Sequence, residues 1–368
     1  MSLKRMKHPK GEIVRLEHVS NALRGNPLKD PWRRDLMVWL PPGYASKPDE
    51  RYPVFYDLAG FTSSGPARLN WKPFGESMPQ RLDRLVFEKK IGPVIAVFPD
   101  CFTSLGGNQY INSSALGAYD DYLTQELVPF VDDNFRTKAA AKYRACFGKS
   151  SGGYGAMLQG MKHPDVWGAI GNLSGDAYFD FVYRRDWPST LDALAKYAVG
   201  DYSSKKFSKK EKARRELVSQ GLDDGRIKRF LKSVWSKEKI SFSDGHCLMS
   251  LCMAATYDPD PNASVGFRVP FDMDTGELIE LRWKRWLAHD PIHLVKRFSG
   301  NLKQLRGIWI ECGTSDQYFI HYGTRILSKR LNDCGVKHVY EEFDDNHSDL
   351  DYRLDKSLPY LFRAISQS

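Results

Sequence analysis

A serine with glycine two residues to either side carries the first chemical signal in the chain. Gly148-Lys149-Ser150-Ser151-Gly152-Gly153 follows the apolar run Tyr143–Phe147 and precedes the small-residue segment Gly155–Gly160. An apolar strand, a tight Gly-x-Ser-x-Gly turn and a helix would hold Ser150 in a strained bend with its hydroxyl exposed at the sheet's edge, as a nucleophile requires. Glycines are needed there because the backbones flanking the serine approach where a Cβ would clash. An ordinary Gly/Ser turn has the same letters, so the reading depends on a base for the serine and an acid to orient that base.

Two residues supply them. In a parallel sheet chemistry gathers in the loops that follow the carboxyl ends of strands. Asp316 stands just after the strand-like run Gly307–Cys312, and His347 just after His338–Phe343. Ser150, Asp316 and His347 therefore read as nucleophile, acid and base, with a plain helix N-cap the competing reading of Asp316. His163 closes the helix after the serine turn, His321 lies about a turn past Asp316, and His289 and His293 sit outside the strand ends. A developing oxyanion also needs two backbone N–H donors. Ser151, at the start of a helix, gives one; Phe61, in Ala59-Gly60-Phe61 after the third strand-like run, gives the other, with Gly60 permitting the turn. The substrate pocket is expected to be lined by Gly60, Gly107, Asn108, Gln109, Tyr110 and Lys149, and the Lys149 ammonium either faces solvent or favours an anionic substrate.

The elements that must position these residues alternate. Strand-like runs cover Ile13–Leu23, Arg34–Leu40, Tyr52–Leu58, Pro93–Phe98 and Trp167–Leu173, while helical spacing appears near Glu76–Phe87, Tyr119–Asn134, Tyr322–Asn332 and Leu350–Ile365. This rhythm predicts the α/β class, a mostly parallel central sheet with helices on both faces. It is lost over residues 179–293, which read as a cap or lid inserted into a single domain spanning residues 1–368.

Composition sets the limits. With 42% hydrophobic and 13% aromatic residues the 368-residue chain can bury a full core, which excludes wholesale disorder. No run approaches the ~20 apolar residues that span a bilayer, and Met1–Glu12 has no apolar core of a leader, so a soluble, cytoplasmic protein is expected. Six cysteines without metal-type spacing read as buried, reduced thiols, and no metal is expected. The net charge of +9 is regional: residues 205–239 hold thirteen Lys/Arg against five Asp/Glu. A solvated helix or lid explains this most simply, with a steering patch for an anionic substrate or lipid surface as the alternative. Nucleic-acid binding is not expected, because no binding motif accompanies the charge.

With these residues in place, the sequence resembles the putative-esterase branch of the α/β-hydrolases, the group that includes esterase D (S-formylglutathione hydrolase), enterochelin esterases, feruloyl esterases and mycolyltransferases. The resemblance rests on Leu40-Pro41-Pro42-Gly43-Tyr44, Ala59-Gly60-Phe61-Thr62, Pro93–Asp100, Gly148–Gly153, Cys312-Gly313-Thr314-Ser315-Asp316 and Asn346-His347, in that order. It implies the α/β-hydrolase fold, a triad of Ser150, Asp316 and His347, and an oxyanion turn at Phe61. It further implies a small-molecule ester as partner, an acyl-enzyme intermediate and no cofactor. Ala59 stands where many members carry His, and the long insertion leaves the substrate class open. Acyl transfer to an alcohol, hydrolysis of an anionic siderophore ester and a non-catalytic binding protein on the same scaffold are the alternatives.

Overall fold

In the computed structural model, which describes residues 8–199 and 208–366, the apolar runs become the strands β1 (Glu12–Val19), β2 (Arg33–Leu40), β3 (Val54–Leu58), β4 (Ile95–Pro99), β5 (Asn112–Ser113), β6 (Gly117–Ala118), β7 (Arg144–Lys149), β8 (Ala169–Leu173), β9 (Gly307–Gly313) and β10 (Val339–Phe343). Eight of them form one sheet in the order β1-β2-β4-β3-β7-β8-β9-β10. β2 runs antiparallel to both β1 and β4, and the six strands from β4 to β10 in that order are parallel. β5 and β6 make a separate two-residue hairpin.

The near-continuous apolar letters of the central strands follow from burial on both faces. Val54, Tyr56 and Leu58 of β3 and Ile95 and Val97 of β4 enter one apolar cluster, while Phe55, Ala96, Phe98, Ala145 and Phe147 enter another. This is the period of two expected of a strand. Helices Ser151–Lys162, Pro291–Leu302 and Ile320–Asp333 cover the first face, and Met78–Phe87 and Leu354–Ser366 the second.

Two elements differ from their sequence expectation for identifiable reasons. β1 stops at Val19 rather than reaching Leu23, because the Glu126 carboxylate accepts from the Ser20 hydroxyl (2.6 Å) and from the N–H groups of Asn21 (2.9 Å) and Ala22 (2.8 Å). Those donors are then lost to a ladder, and Leu23 turns into the core. The helix expected over Tyr119–Asn134 widens to a π-helix at Tyr122–Leu127 before resuming as Val128–Asn134. Pro129 explains the widening, since it has no N–H to donate and its ring crowds the carbonyl four residues back.

Between β8 and β9 the irregular stretch folds as short helices, including Phe179–Val182, Trp187–Ala195, Lys209–Ser219, Arg226–Val234, Phe242–Tyr257 and Glu280–Leu287. Their apolar side chains, among them Phe179, Trp187, Phe230, Leu251, Trp283 and Trp286, join the same cluster as the first face of the sheet. Of the basic stretch, Lys205 and Lys206 lie outside the described residues. Arg214 and Arg226 are both paired with Asp224 and Asp274 at 2.7–3.1 Å, so part of the basic charge is neutralised in place. Among the described residues no helix is long and apolar enough to cross a membrane.

One histidine of this region carries a pH-dependent stability. His289 is packed beside the Tyr257 ring (centroids 5.3 Å apart), and burial, with a smaller contribution from Lys162, lowers its pKa to about 4. An unfolded histidine titrates near ~6.5. Between these values the unfolded chain binds a proton that the folded chain does not. The stabilisation is therefore complete above about pH 6.5 and is lost as the pH falls towards 4. By linkage this amounts to about 2 kcal/mol at pH 5. Urea unfolding at pH 7.5 and pH 5 should show that drop in the native chain and a clearly smaller one in His289→Gln; equal drops would assign the effect to other groups.

Candidate active site

The carboxyl ends of five adjacent parallel strands supply the site. Phe61 lies three residues past β3, Ser150 directly after β7, Asp176 three past β8, Asp316 three past β9 and His347 four past β10. A cavity of about 230 Å³ opens over these ends, and Ser150, Ser151, Gly60, Phe61, Lys149, Asp176 and His347 all line it.

Ser150 sits between β7 and helix Ser151–Lys162 with φ 58° and ψ −125°, a conformation that L-residues rarely adopt. Its backbone holds the bend: Ser150 N–H donates to the Leu173 carbonyl (3.0 Å), and its carbonyl accepts from Tyr154 N–H (2.9 Å). The flanking glycines are sterically required. A Cβ on Gly148 would fall 2.7 Å from the Gly152 carbonyl carbon, and one on Gly152 would fall 1.9 Å from the Leu58 carbonyl oxygen. The strained turn expected from the sequence is therefore what close packing of β3, β7 and the helix imposes.

His347 is buried at the cavity wall, and its Nδ1 lies 2.7 Å from Asp316 Oδ2. Burial alone would raise the Asp316 carboxyl, but its hydrogen bond to His347, the charge of that imidazole and the N–H groups of Tyr318 and Ile320 hold it below the usual carboxylate range. Asp316 Oδ1 takes the Tyr318 amide at 2.8 Å, so each carboxylate oxygen has its own task. The Tyr318 ring packs edge-on against His347, with centroids 4.9 Å apart. No hydrogen bond joins Ser150 Oγ to His347; such contacts tighten when substrate binds. Of the nine histidines, His347 is the one that lines this cavity. His163 instead pairs with Asp120 at 2.8 Å, and His321 lies buried behind the wall.

Phe61 N–H has no protein acceptor among the described residues. Ser151 opens its helix, where the first amide lacks a preceding turn to bond. Both donors border the cavity beside Ser150.

The structure corrects the expected pocket wall. Gly60 and Lys149 line the cavity; Gly107, Asn108, Gln109 and Tyr110 do not. They stand behind it, because each is used to hold a lining residue or its own loop. A Cβ on Gly107 would fall 2.4 Å from Phe61 Cα, so this glycine lets the loop press against the oxyanion turn. Tyr110 OH donates to the Ala59 carbonyl (2.6 Å), Asn108 Oδ1 accepts from Tyr110 N–H (2.6 Å), and Gln109 Nε2 donates to Ser151 Oγ (2.9 Å).

Lys149 does not extend into bulk solvent. Its ammonium donates to the His347 backbone carbonyl at 2.7 Å, tying the end of β7 to the loop after β10. Burial is the main cause of its lowered pKa. Lys149→Met should loosen the His347 loop and lower kcat by about tenfold with little change in KM, while Lys149→Arg restores part of the loss. A KM effect without a kcat effect would instead place the ammonium on the substrate.

Several lining residues were not anticipated. Arg68 and Lys72 reach the cavity from the loop after β3, where Arg68 pairs with the buried Asp57 (2.8 Å) and both cations pair with Asp351. Asp57 was detectable, as a carboxylate inside the apolar run Tyr52–Leu58 must find a cation. Asp176 obeys the same strand-end rule that found Asp316 and His347. Val182 and Met249, from the inserted helices, left no sequence signal, whereas Tyr183 belongs to the aromatics that the sequence places in the same region. No lining residue comes from the described part of the basic stretch, residues 208–239.

Comparison with known proteins supplies the family and the fold. Residues 30–355 match the family model described as "Putative esterase". Over 144 residues the chain is 33% identical to an endo-1,4-beta-xylanase/feruloyl esterase of Xylanibacter ruminicola, covering 38% of this chain and 19% of that protein. The matched stretches span only 19% and 31% of the first two curated relatives. Among solved structures, a ferulic acid esterase superposes with a TM-score of 0.58 at 17% identity, covering 96% of this chain and 99% of the other. An S-formylglutathione hydrolase from Agrobacterium tumefaciens gives a TM-score of 0.53 at 15% identity, with coverage of 97% and 96%. At such identities the superpositions speak to the fold, that of the α/β-hydrolases.

Proposed function

This chain belongs to the putative-esterase family and is by that membership an esterase, and we propose that it hydrolyses small-molecule carboxylic esters by two-step acyl transfer at Ser150. The observation that carries the proposal is the buried 2.7 Å Asp316–His347 pair, opening on the same cavity as a serine held at φ 58°.

His347, oriented by Asp316, takes the Ser150 proton as Oγ attacks the ester carbonyl. The N–H groups of Phe61 and Ser151 receive the developing oxyanion. His347 then returns the proton to the departing alcohol. Water, deprotonated by the same imidazole, attacks the acyl-enzyme; the Oγ–acyl bond breaks, Ser150 Oγ takes the proton back from His347 and the acid leaves. Every step uses side chains and amides of the chain itself, and no cofactor enters the scheme.

In this reading the chain is one domain, and the helices within residues 179–293 act as a cap that contributes Val182, Tyr183 and Met249 to the cavity. The cations on the wall are paired, Arg68 and Lys72 with Asp57 and Asp351 and Lys149 with a carbonyl, which favours an uncharged ester over an anionic siderophore. A cytoplasmic location fits the six unpaired cysteines, five of them buried.

The test combines labelling with turnover. A fluorophosphonate probe should modify Ser150, and p-nitrophenyl esters of graded chain length should be hydrolysed, with the acid rather than a new ester as product when alcohol is added. Absence of both labelling and turnover would falsify the enzymatic reading, and a transferred ester would replace hydrolysis by acyl transfer.

A further inference from the structure

Part of the cavity lining is apolar, formed by Leu173, Val182, Met249 and the Tyr318 ring. Asp176 interrupts it. Its side chain is deeply buried, with the residue 5% exposed, yet it lines the cavity. Oδ2 is fully engaged, accepting from Tyr183 OH (2.8 Å) and Gln109 Nε2 (3.1 Å). Among the described residues nothing donates to Oδ1, and Asp176 forms no ion pair with Lys or Arg.

The surroundings fix the carboxyl tightly. Tyr183 OH also contacts Tyr257 OH (3.1 Å), and Gln109 Nε2 also reaches Ser151 Oγ (2.9 Å) and Met253 Sδ (3.1 Å). Asp176 is thus joined by one side chain to the residue that bears an oxyanion donor, and by another to the aromatic core of the insertion. Oδ1 opens on the cavity without a protein donor, so a group there that donates to it meets an acceptor already held in place. A small number of fixed polar groups among apolar ones is also the usual means of setting a ligand's orientation.

Resting on the esterase reading above, we propose that Asp176 is a specificity residue that accepts a hydrogen bond from a hydroxyl group of the substrate, so that the preferred esters are hydroxylated ones. The titratable groups that act on it electrostatically from other elements are His347 and Asp316. A hydroxyl satisfies Oδ1 without bringing a further charge beside that pair. An apolar isostere leaves Oδ1 unpaired against hydrocarbon, and the resulting discrimination is of the strong kind, because the site rather than the ligand bears the loss.

The experiment measures kcat/KM by pH-stat for ethyl butanoate, ethyl 2-hydroxybutanoate, ethyl 3-hydroxybutanoate and 2-hydroxyethyl butanoate, which place the hydroxyl at two acyl positions or on the alcohol. At least one hydroxylated ester should exceed ethyl butanoate by about tenfold or more. In Asp176→Leu the ratio should collapse towards one, and in Asp176→Asn, whose oxygen keeps the Tyr183 and Gln109 donors and whose NH₂ can donate to the substrate hydroxyl oxygen instead of accepting from it, the ratio should be intermediate. Taking ratios removes any general change in activity that the substitutions cause through Gln109. Hydrolysis of all four esters at similar rates by the native enzyme, or a preference that survives in Asp176→Leu, overturns the proposal while the esterase reading stands. Failure to hydrolyse any ester, with no fluorophosphonate labelling, instead removes the reading on which it rests.

Discussion

Ser150→Ala is expected to lower kcat/KM by about four to six orders of magnitude while leaving the fold intact. The loss is large because, in the proposed mechanism, Oγ is the atom that forms the acyl-enzyme. The fold is spared because Ser150 is held through its backbone, by Leu173 and Tyr154, and its hydroxyl has no hydrogen-bond partner among the described residues. Alanine keeps the Cβ and meets the same backbone constraint, so stability should stay within about 1 kcal/mol. Residues acting as one unit are non-additive. The double variant Ser150→Ala/His347→Ala should consequently be no slower than Ser150→Ala alone. Unaltered activity in Ser150→Ala would end the proposed mechanism, and a further multiplicative loss in the double variant would show that His347 acts independently of the serine.

Asp316→Asn carries the second large effect, about 10⁴ in kcat. The structure explains why so small a change should matter. Asp316 Oδ1 is held by the Tyr318 amide at 2.8 Å and Oδ2 by His347 Nδ1 at 2.7 Å. An asparagine would keep its oxygen on the Tyr318 amide and present its NH₂ to Nδ1. The imidazole then places its proton on Nε2, the atom that should receive the Ser150 proton. Thermal unfolding should show the variant folded, and kcat should recover partially at high pH, where hydroxide substitutes for the missing base. A loss of tenfold or less would mean that Asp316 serves only to fix the turn ahead of helix Ile320–Asp333, through the Tyr318 amide.

The sequence supplied much of this, and the reason is locality. Strand alternation, the glycines around Ser150 and the order of Ser150, Asp316 and His347 are read within a few residues, because a strand buries every second side chain and its end is marked by a turn. Asp176 was within reach of the same rule. Elements broken by distant partners were not: β1 ends where Glu126, more than a hundred residues on, captures its amides.

The same division holds inside the site. By sequence Gly107–Tyr110 is a pocket wall, since a Gly-rich loop after a strand commonly lines a cavity. Only the packed structure places it one layer back, pressed on Phe61 and bonded to Ala59, Ser151 and Asp176. The Lys149 ammonium meets the carbonyl of His347 across 198 positions of sequence, a contact that spacing does not encode. The sequence by itself thus determined which residues are candidates for the chemistry and on which strand ends they stand. The tertiary structure decided which side chains face the cavity and which support it, because that depends on how separate loops pack over the sheet rather than on the order of residues within any one of them.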